Sequence, residues 1–137
     1  MTNTALALTV YIGWTWFLMC ALISYRSLLV LKKEKQANEF KSDGSDSPAL
    51  GQRLTRAIGN SLESFPFVGG PMLLALAADL SSITEGLALI MIGARIGQAL
   101  IHIASTSVMA VQIRFVFFVV QLAIAGWWLV QLLSEFI

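Results

Sequence analysis

The chain has 137 residues, 57% hydrophobic and 12% charged, with a net charge of +1 and a mean hydropathy of +0.76. Soluble domains carry roughly 25% charged residues, so this composition excludes a disordered chain, a basic nucleic-acid binder and most water-soluble enzymes. Such an apolar excess in so short a chain reads as surface facing lipid. The single cysteine, Cys20, allows no disulfide within the chain and is expected to act as a small apolar side chain.

The charges divide the sequence into four apolar segments, at about residues 6–31, 56–78, 85–104 and 115–133. Each meets the ~20-residue length that a membrane-crossing helix needs. The pattern predicts an all-α integral membrane protein, a single domain over residues 1–137 built as a four-transmembrane-helix bundle. The first segment has no basic residue before Arg26, so it lacks the charged start of a signal peptide and is expected to be retained. Between the first two segments, a loop at about 32–55 holds Lys32, Lys33, Lys35, Lys41 and Arg53. Its run Ser42-Asp43-Gly44-Ser45-Asp46-Ser47-Pro48 has turn chemistry and is expected to form a mobile, solvated link. The second loop and both ends lack Lys and Arg, and the third loop ends at Arg114. Because Lys and Arg concentrate on the cytoplasmic side, the long loop and third loop are expected there and both termini on the opposite face. Trp14, Trp16, Trp127 and Trp128 are expected in an interfacial aromatic belt.

Within the second segment, Arg53, Arg56, Asn60 and Glu63 fall in about 80° of helical arc. In the third, Arg95, Gln98 and His102 share about 60°, with Gly93 and Gly97 opposite them in a spacing that permits close helix approach. Glu63 and Arg95 lie at similar depths, about 10 and 13 Å from the basic ends of their segments, and are expected to form a buried ion pair. Arg114 opens the fourth segment at the level of Arg56 and His102. The resulting cluster of guanidiniums and polar groups suits a small anion bearing carboxylates or a thiolate. A structural reading competes with it: Glu63–Arg95 as a staple between two helices, and Arg53, Arg56 and Arg114 as snorkelling anchors. A lone histidine among no other metal ligands predicts no metal site. A proton-coupled efflux protein with four short helices would need an intramembrane acid, usually in its first helix, where this chain has none.

The run Arg53-Leu54-Thr55-Arg56-Ala57-Ile58-Gly59-Asn60-Ser61-Leu62-Glu63, followed by Pro66, resembles the signature of the MAPEG family, membrane-associated proteins in eicosanoid and glutathione metabolism. Gly93-Ala94-Arg95 with Gln98 and His102 is similar to the family's next conserved helix, and Arg114 falls where the family has an arginine. The resemblance implies a homotrimer that binds glutathione, as co-substrate, between subunits near the cytoplasmic face. Arg53, Arg56, Asn60, Glu63, Gln98 and His102 would hold the tripeptide and Arg114 would steady its thiolate. An apolar electrophile or lipid would enter from the bilayer, for a transferase or peroxidase reaction in a membrane such as a bacterial inner membrane. The chain departs from the family's enzymes at His102 and Phe118, where tyrosine is frequent, and at Gly59, Gln98 and Phe115. The family's non-catalytic lipid- or glutathione-binding members supply the alternative.

Overall fold

A computed structural model describes all 137 residues as five helices joined by short links and one longer loop: α1 (Asn3–Leu31), α2 (Ala49–Ala77), α3 (Ser81–Glu85), α4 (Ala88–Ala104) and α5 (Val108–Phe136). The three 29-residue helices would each run about 43 Å at 1.5 Å per residue, more than the ~30 Å hydrocarbon core of a bilayer. α1 and α5 are long and apolar enough to cross a membrane, yet only 22% of each one's most apolar stretch is buried. A core helix of a soluble protein would be mostly covered. Here Trp16, Phe17 and Ile23 on α1 and Val116, Trp127 and Val130 on α5 stand more than half exposed.

Helix boundaries follow capping chemistry rather than charge. α1 starts where Thr2 Oγ1 accepts from Ala5 N at 3.1 Å, satisfying a donor of the first turn. α2 begins at Ala49, directly after Pro48, well ahead of Arg56; its first two turns mix Gln52, Arg53 and Thr55 with Leu50 and Leu54. α5 begins at Val108 because Ser107 accepts from Ala110 N at 3.2 Å, so Arg114 lies inside the helix rather than at its start. α1 and α2 stop in the same way. Lys33 and Asp79 take positive φ, 57° and 58°. Glu34 N then reaches Leu29 O at 3.0 Å and Leu80 N reaches Ala75 O at 2.8 Å, the six-to-one bond that closes a helix through a left-handed residue. The helix expected over about 85–104 is α4, which begins at Ala88, and the second loop expected before it carries the short helix α3.

The main core gathers Tyr11 of α1, Met72 of α2, Met91 of α4 and Trp128 of α5, among others. A smaller cluster, Leu18, Ala57 and Ile58, lies toward the other end of α1 and α2. Trp128 is therefore a buried core residue and not part of an interfacial belt; Trp14 is half-buried, and Trp16 and Trp127 are exposed. Polar bonds tie α1 to α2. Tyr11 OH donates to Ser61 O at 2.6 Å, and the hydroxyls of Thr15 and Ser61 lie 2.8 Å apart. In lipid such bonds contribute about 0.6 kcal/mol each on average, and up to ~1.7.

α3 closes one end of the molecule. The carboxylate of Glu85 accepts from Asn3 N at 2.7 Å and Thr4 N at 3.2 Å, and the Thr4 and Thr84 hydroxyls lie 2.8 Å apart. A carboxylate there satisfies orphan donors of α1 and sits at the positive end of its dipole. These bonds hold the Glu85 carboxyl below the usual carboxylate range.

At the other end, the loop over residues 32–48 is held in place by its own bonds. Asp46 accepts from Lys35 Nζ at 2.9 Å and from Lys41 N at 3.2 Å. Asp43 Oδ1 accepts from Ser45 N at 3.0 Å. Gly44 turns at φ 72°, where an added Cβ would stand 2.7 Å from Thr55 Oγ1, so only glycine suits both the conformation and the space.

Candidate functional site

The polar residues of α2 and α4 separate into two groups. The inner group centres on Arg95, which is 0% exposed. Its Nη1 donates to Ser64 Oγ at 2.6 Å and to Gln121 Oε1 at 3.3 Å, and its Nη2 donates to Asn60 Oδ1. Ser64 in turn donates to Asn60 O. Gln121 Nε2 donates to Gln98 Oε1 at 2.8 Å and to Phe117 O at 3.0 Å. The guanidinium is thus solvated by a hydroxyl and two amides drawn from α2 and α5, with no carboxylate in contact. Its Nε remains buried without a partner. The side chains of Asn60, Ser64, Arg95, Gln98 and Gln121 together bind three helices to one another.

The expected Glu63–Arg95 ion pair is not formed. The one ion pair in the chain is Lys35–Asp46, and Glu63 is exposed. Helical phase explains this. Asn60 and Ser64 are four residues apart and share the face that meets α4. Glu63 lies 100° away from Ser64, on a stripe with Arg56, seven residues earlier and also exposed. The arc that joins Arg53, Arg56, Asn60 and Glu63 in sequence is cut lengthwise by the packing boundary. Gln98 is likewise not at an open mouth. It is 4% exposed, because the polar face of α4 is the packed face. Gly93 faces outward with nothing within 4 Å of an added Cβ, while Gly97 accommodates the Phe117 ring, 3.0 Å from such a Cβ. The glycine face expected to pack therefore touches α5 only at Gly97.

The outer group lies at the end carrying the long loop. Arg114 and His102 are both half-buried, with Arg114 Nη1 2.6 Å from His102 Nδ1. A guanidinium can only donate, so His102 Nδ1 accepts and the ring carries its proton on Nε2. Arg53 and Arg56 line an open pocket of about 300 Å³ with Ala49, Gln52 and Thr106. Arg53 Nε is buried and without a partner. Four positive or donor-bearing side chains thus collect at one end, Arg53 and Arg56 on the pocket and the Arg114–His102 pair on the neighbouring helices. No group of three metal-ligating side chains occurs anywhere in the chain.

Gln121 and Ser64 are the site residues that sequence reasoning missed. Gln121 is a lone amide in an apolar helix, seven residues beyond Arg114 and so on the same stripe. That spacing was the available signal. Ser64 carried none, since serine at this depth is unremarkable beside Glu63.

The model of the MAPEG family matches residues 4–134. The chain belongs to the MAPEG family. No curated protein and no solved structure matches it. Membership, together with the two apolar helices α1 and α5, marks this MAPEG chain as a membrane protein. At the level of the family it supports a glutathione-related transferase or peroxidase function, or one akin to it. Within this MAPEG chain the residues of the signature divide their work. Asn60 faces inward to Arg95, whereas Arg56 and Glu63 face outward, away from the chain's own core.

Proposed function

We propose that this protein is a glutathione-dependent membrane transferase or peroxidase acting on apolar electrophiles. The observation that carries the reading is the concentration of Arg53, Arg56, Arg114 and His102 at one end, with no acidic side chain lining the Arg53–Arg56 pocket. Such a mouth is complementary to a tripeptide with two carboxylates and an ionisable thiol.

Arg53 and Arg56 bind the carboxylates. Glu63, exposed on the same stripe as Arg56, accepts from the tripeptide's ammonium or amide N–H groups. An outward stripe of this kind is completed by a second copy of the chain, which accords with a homotrimer of four-helix subunits holding glutathione between them. Asn60 spends its Oδ1 on Arg95 and offers its Nδ2 to the ligand. Gln98, buried in the core, supports Gln121 rather than touching the tripeptide. His102 takes one N–H of Arg114, fixing the guanidinium while leaving its other donors for sulfur. A free thiol has a pKa near 8.5, and an adjacent guanidinium lowers it into the reactive range. The thiolate then attacks an electrophilic carbon presented from the bilayer. The C–S bond forms as the leaving group departs or the conjugated system takes up a proton. The basic residues of the loop 32–48 favour a cytoplasmic location for that end, with both termini opposite, in a membrane such as a bacterial inner membrane.

Titration of the purified protein in detergent with glutathione, read by thiolate absorbance, tests this. A saturable thiolate signal that disappears in Arg114→Ala is expected. No signal at saturating glutathione overturns the enzyme reading.

One observation favours the second reading, a non-catalytic lipid- or glutathione-binding member. Phe118, which stands where the family's enzymes often have tyrosine, packs edge-on against Phe67 with centroids 6.1 Å apart, so that position supplies no hydroxyl. Glutathione binding without turnover of any electrophile would establish this reading over the first.

A further inference from the structure

A cavity that shares no lining residue with the Arg53–Arg56 pocket lies between the last turns of α1 and the loop that follows. It has a volume of about 660 Å³. Ile23, Val30 and Leu31 form its helix wall, Ala37 and Phe40 its loop wall, and Arg26 is its only charged residue. The helix wall continues into the exposed surface of α1, where Ile23 and Leu31 stand 60% and 77% exposed. Arg26 is held at this spot without being neutralised. Its guanidinium lies over the Phe40 ring at 5.2 Å, its Nη2 reaches Lys41 O only at 3.4 Å, and its Nε is buried with no partner. No carboxylate lines the cavity, and the two acids nearest in the loop's bonding pattern are occupied: Asp46 by Lys35 and Glu39 by Gln36 N.

We propose that this cavity holds the headgroup of an anionic phospholipid, with the phosphate on Arg26 and the acyl chain leaving past Ile23 along the exposed Met19 and Trp16 of α1. Three features converge on that occupant. Arg26 is five residues from the end of α1, about 8 Å at the helical rise, the level of the headgroups if α1 crosses the bilayer. Lys32 and Lys33 follow directly, and basic residues just beyond a spanning helix attract anionic lipid. Ile23 lies about one turn deeper than Arg26 and opens onto the exposed apolar stripe of Met19 and Trp16, so a cation at headgroup level is followed by apolar surface, the polarity of a phospholipid and not of glutathione. The inference rests on α1 spanning the membrane and is independent of any thiol chemistry.

The test uses the full chain in detergent micelles and native mass spectrometry, with phosphatidylglycerol and phosphatidylcholine of identical acyl chains as probes. The wild-type chain is expected to retain phosphatidylglycerol over phosphatidylcholine. Arg26→Gln should lower phosphatidylglycerol retention about fivefold, the weight of one basic residue at a lipid surface, and lower that of phosphatidylcholine, whose phosphate is offset by its own ammonium, by less. Arg26→Lys should keep the preference, and Ala37→Trp, which fills the cavity, should remove both lipids. Ser134→Ala, at the opposite end of the molecule, should bind as wild type does. Equal retention of the two lipids by the wild type, or wild-type retention by Arg26→Gln, overturns the proposal. Displacement of the lipid by glutathione or by inorganic phosphate alone also overturns it, because either would make this a water-side anion site. Loss of glutathione binding in Arg114→Ala with lipid retention intact separates this site from the proposed catalytic one.

Discussion

Gln121→Leu puts the core network to a quantitative test. The substitution removes three hydrogen bonds: to Gln98 Oε1 at 2.8 Å, to Phe117 O at 3.0 Å, and from Arg95 Nη1 at 3.3 Å. At an average of about 0.6 kcal/mol each in a membrane setting, the loss is about 2 kcal/mol. Two features push the true figure in opposite directions. Leucine packs well among apolar neighbours, which lowers the cost. Gln98 and Arg95, both buried, are each left with an unanswered polar atom, which raises it by the desolvation penalty of those groups. The second effect can be isolated, because replacing Gln98 as well removes one of the stranded atoms. The double variant Gln98→Leu/Gln121→Leu should therefore be less destabilised than the sum of the singles, with a coupling energy of about 1 kcal/mol. Reversible unfolding in mixed micelles, with the helical circular dichroism signal followed for all four members of the cycle, measures it. Additivity within ~0.3 kcal/mol, or a Gln121→Leu chain as stable as wild type, would refute the network as a stabilising element.

Glu63→Gln should alter the stability of the isolated chain by no more than about 0.5 kcal/mol, as for other exposed positions without partners; a loss of ~3–5 kcal/mol in the same unfolding assay would mean that Glu63 neutralises Arg95 after all. If the proposed function holds, the same variant weakens glutathione binding, seen by calorimetry. Tyr11→Phe deletes the bond to Ser61 O and should cost about 1 kcal/mol, measured against wild type in mixed micelles. The Glu85 carboxyl is held below its ordinary value by α1's amides, so its stabilisation is fully present above the unfolded carboxylate pKa of about 4.5 and is lost as pH falls through the lower folded value. Glu85→Gln should flatten that acid-side decline. A decline as steep as wild type below pH ~4.5 would show that other carboxylates govern it.

The fold's class and its helices could be read from the apolar segments, because lipid-facing surface leaves a strong compositional mark and a membrane-spanning helix needs a minimum length. Boundaries were less legible. A charge such as Arg56 or Arg114 looks like the edge of a membrane segment, yet a helix obeys caps, and Ser107 and Pro48 set the ends instead. The short α3 also escaped, since five polar-rich residues, Ser81–Glu85, read as loop. For the site, depth put Arg114 at the level of His102, which it meets in the structure, and Asn60, grouped by spacing with Arg56 and Glu63, turns out to be the member of that arc that meets Arg95. Spacing failed for Glu63, because an arc of about 80° on a helix is wide enough to straddle the boundary between packed and open faces. Electrostatic reasoning favoured a carboxylate for Arg95, and depth matched. The chain uses amides and a hydroxyl in its place, a solution with no signature in a list of charges.

That solution has an outcome for behaviour in acid. Ion pairs fail when a carboxylate gains a proton, but Asn60, Ser64 and Gln121 have no proton to gain in that range, so the grip on Arg95 is indifferent to acidity. The contacts of Glu85 with the start of α1 are not. Nor is the Lys35–Asp46 pair of the loop, so a drop in pH would loosen this molecule from both tips inward, with the middle of the helix assembly the last part to yield.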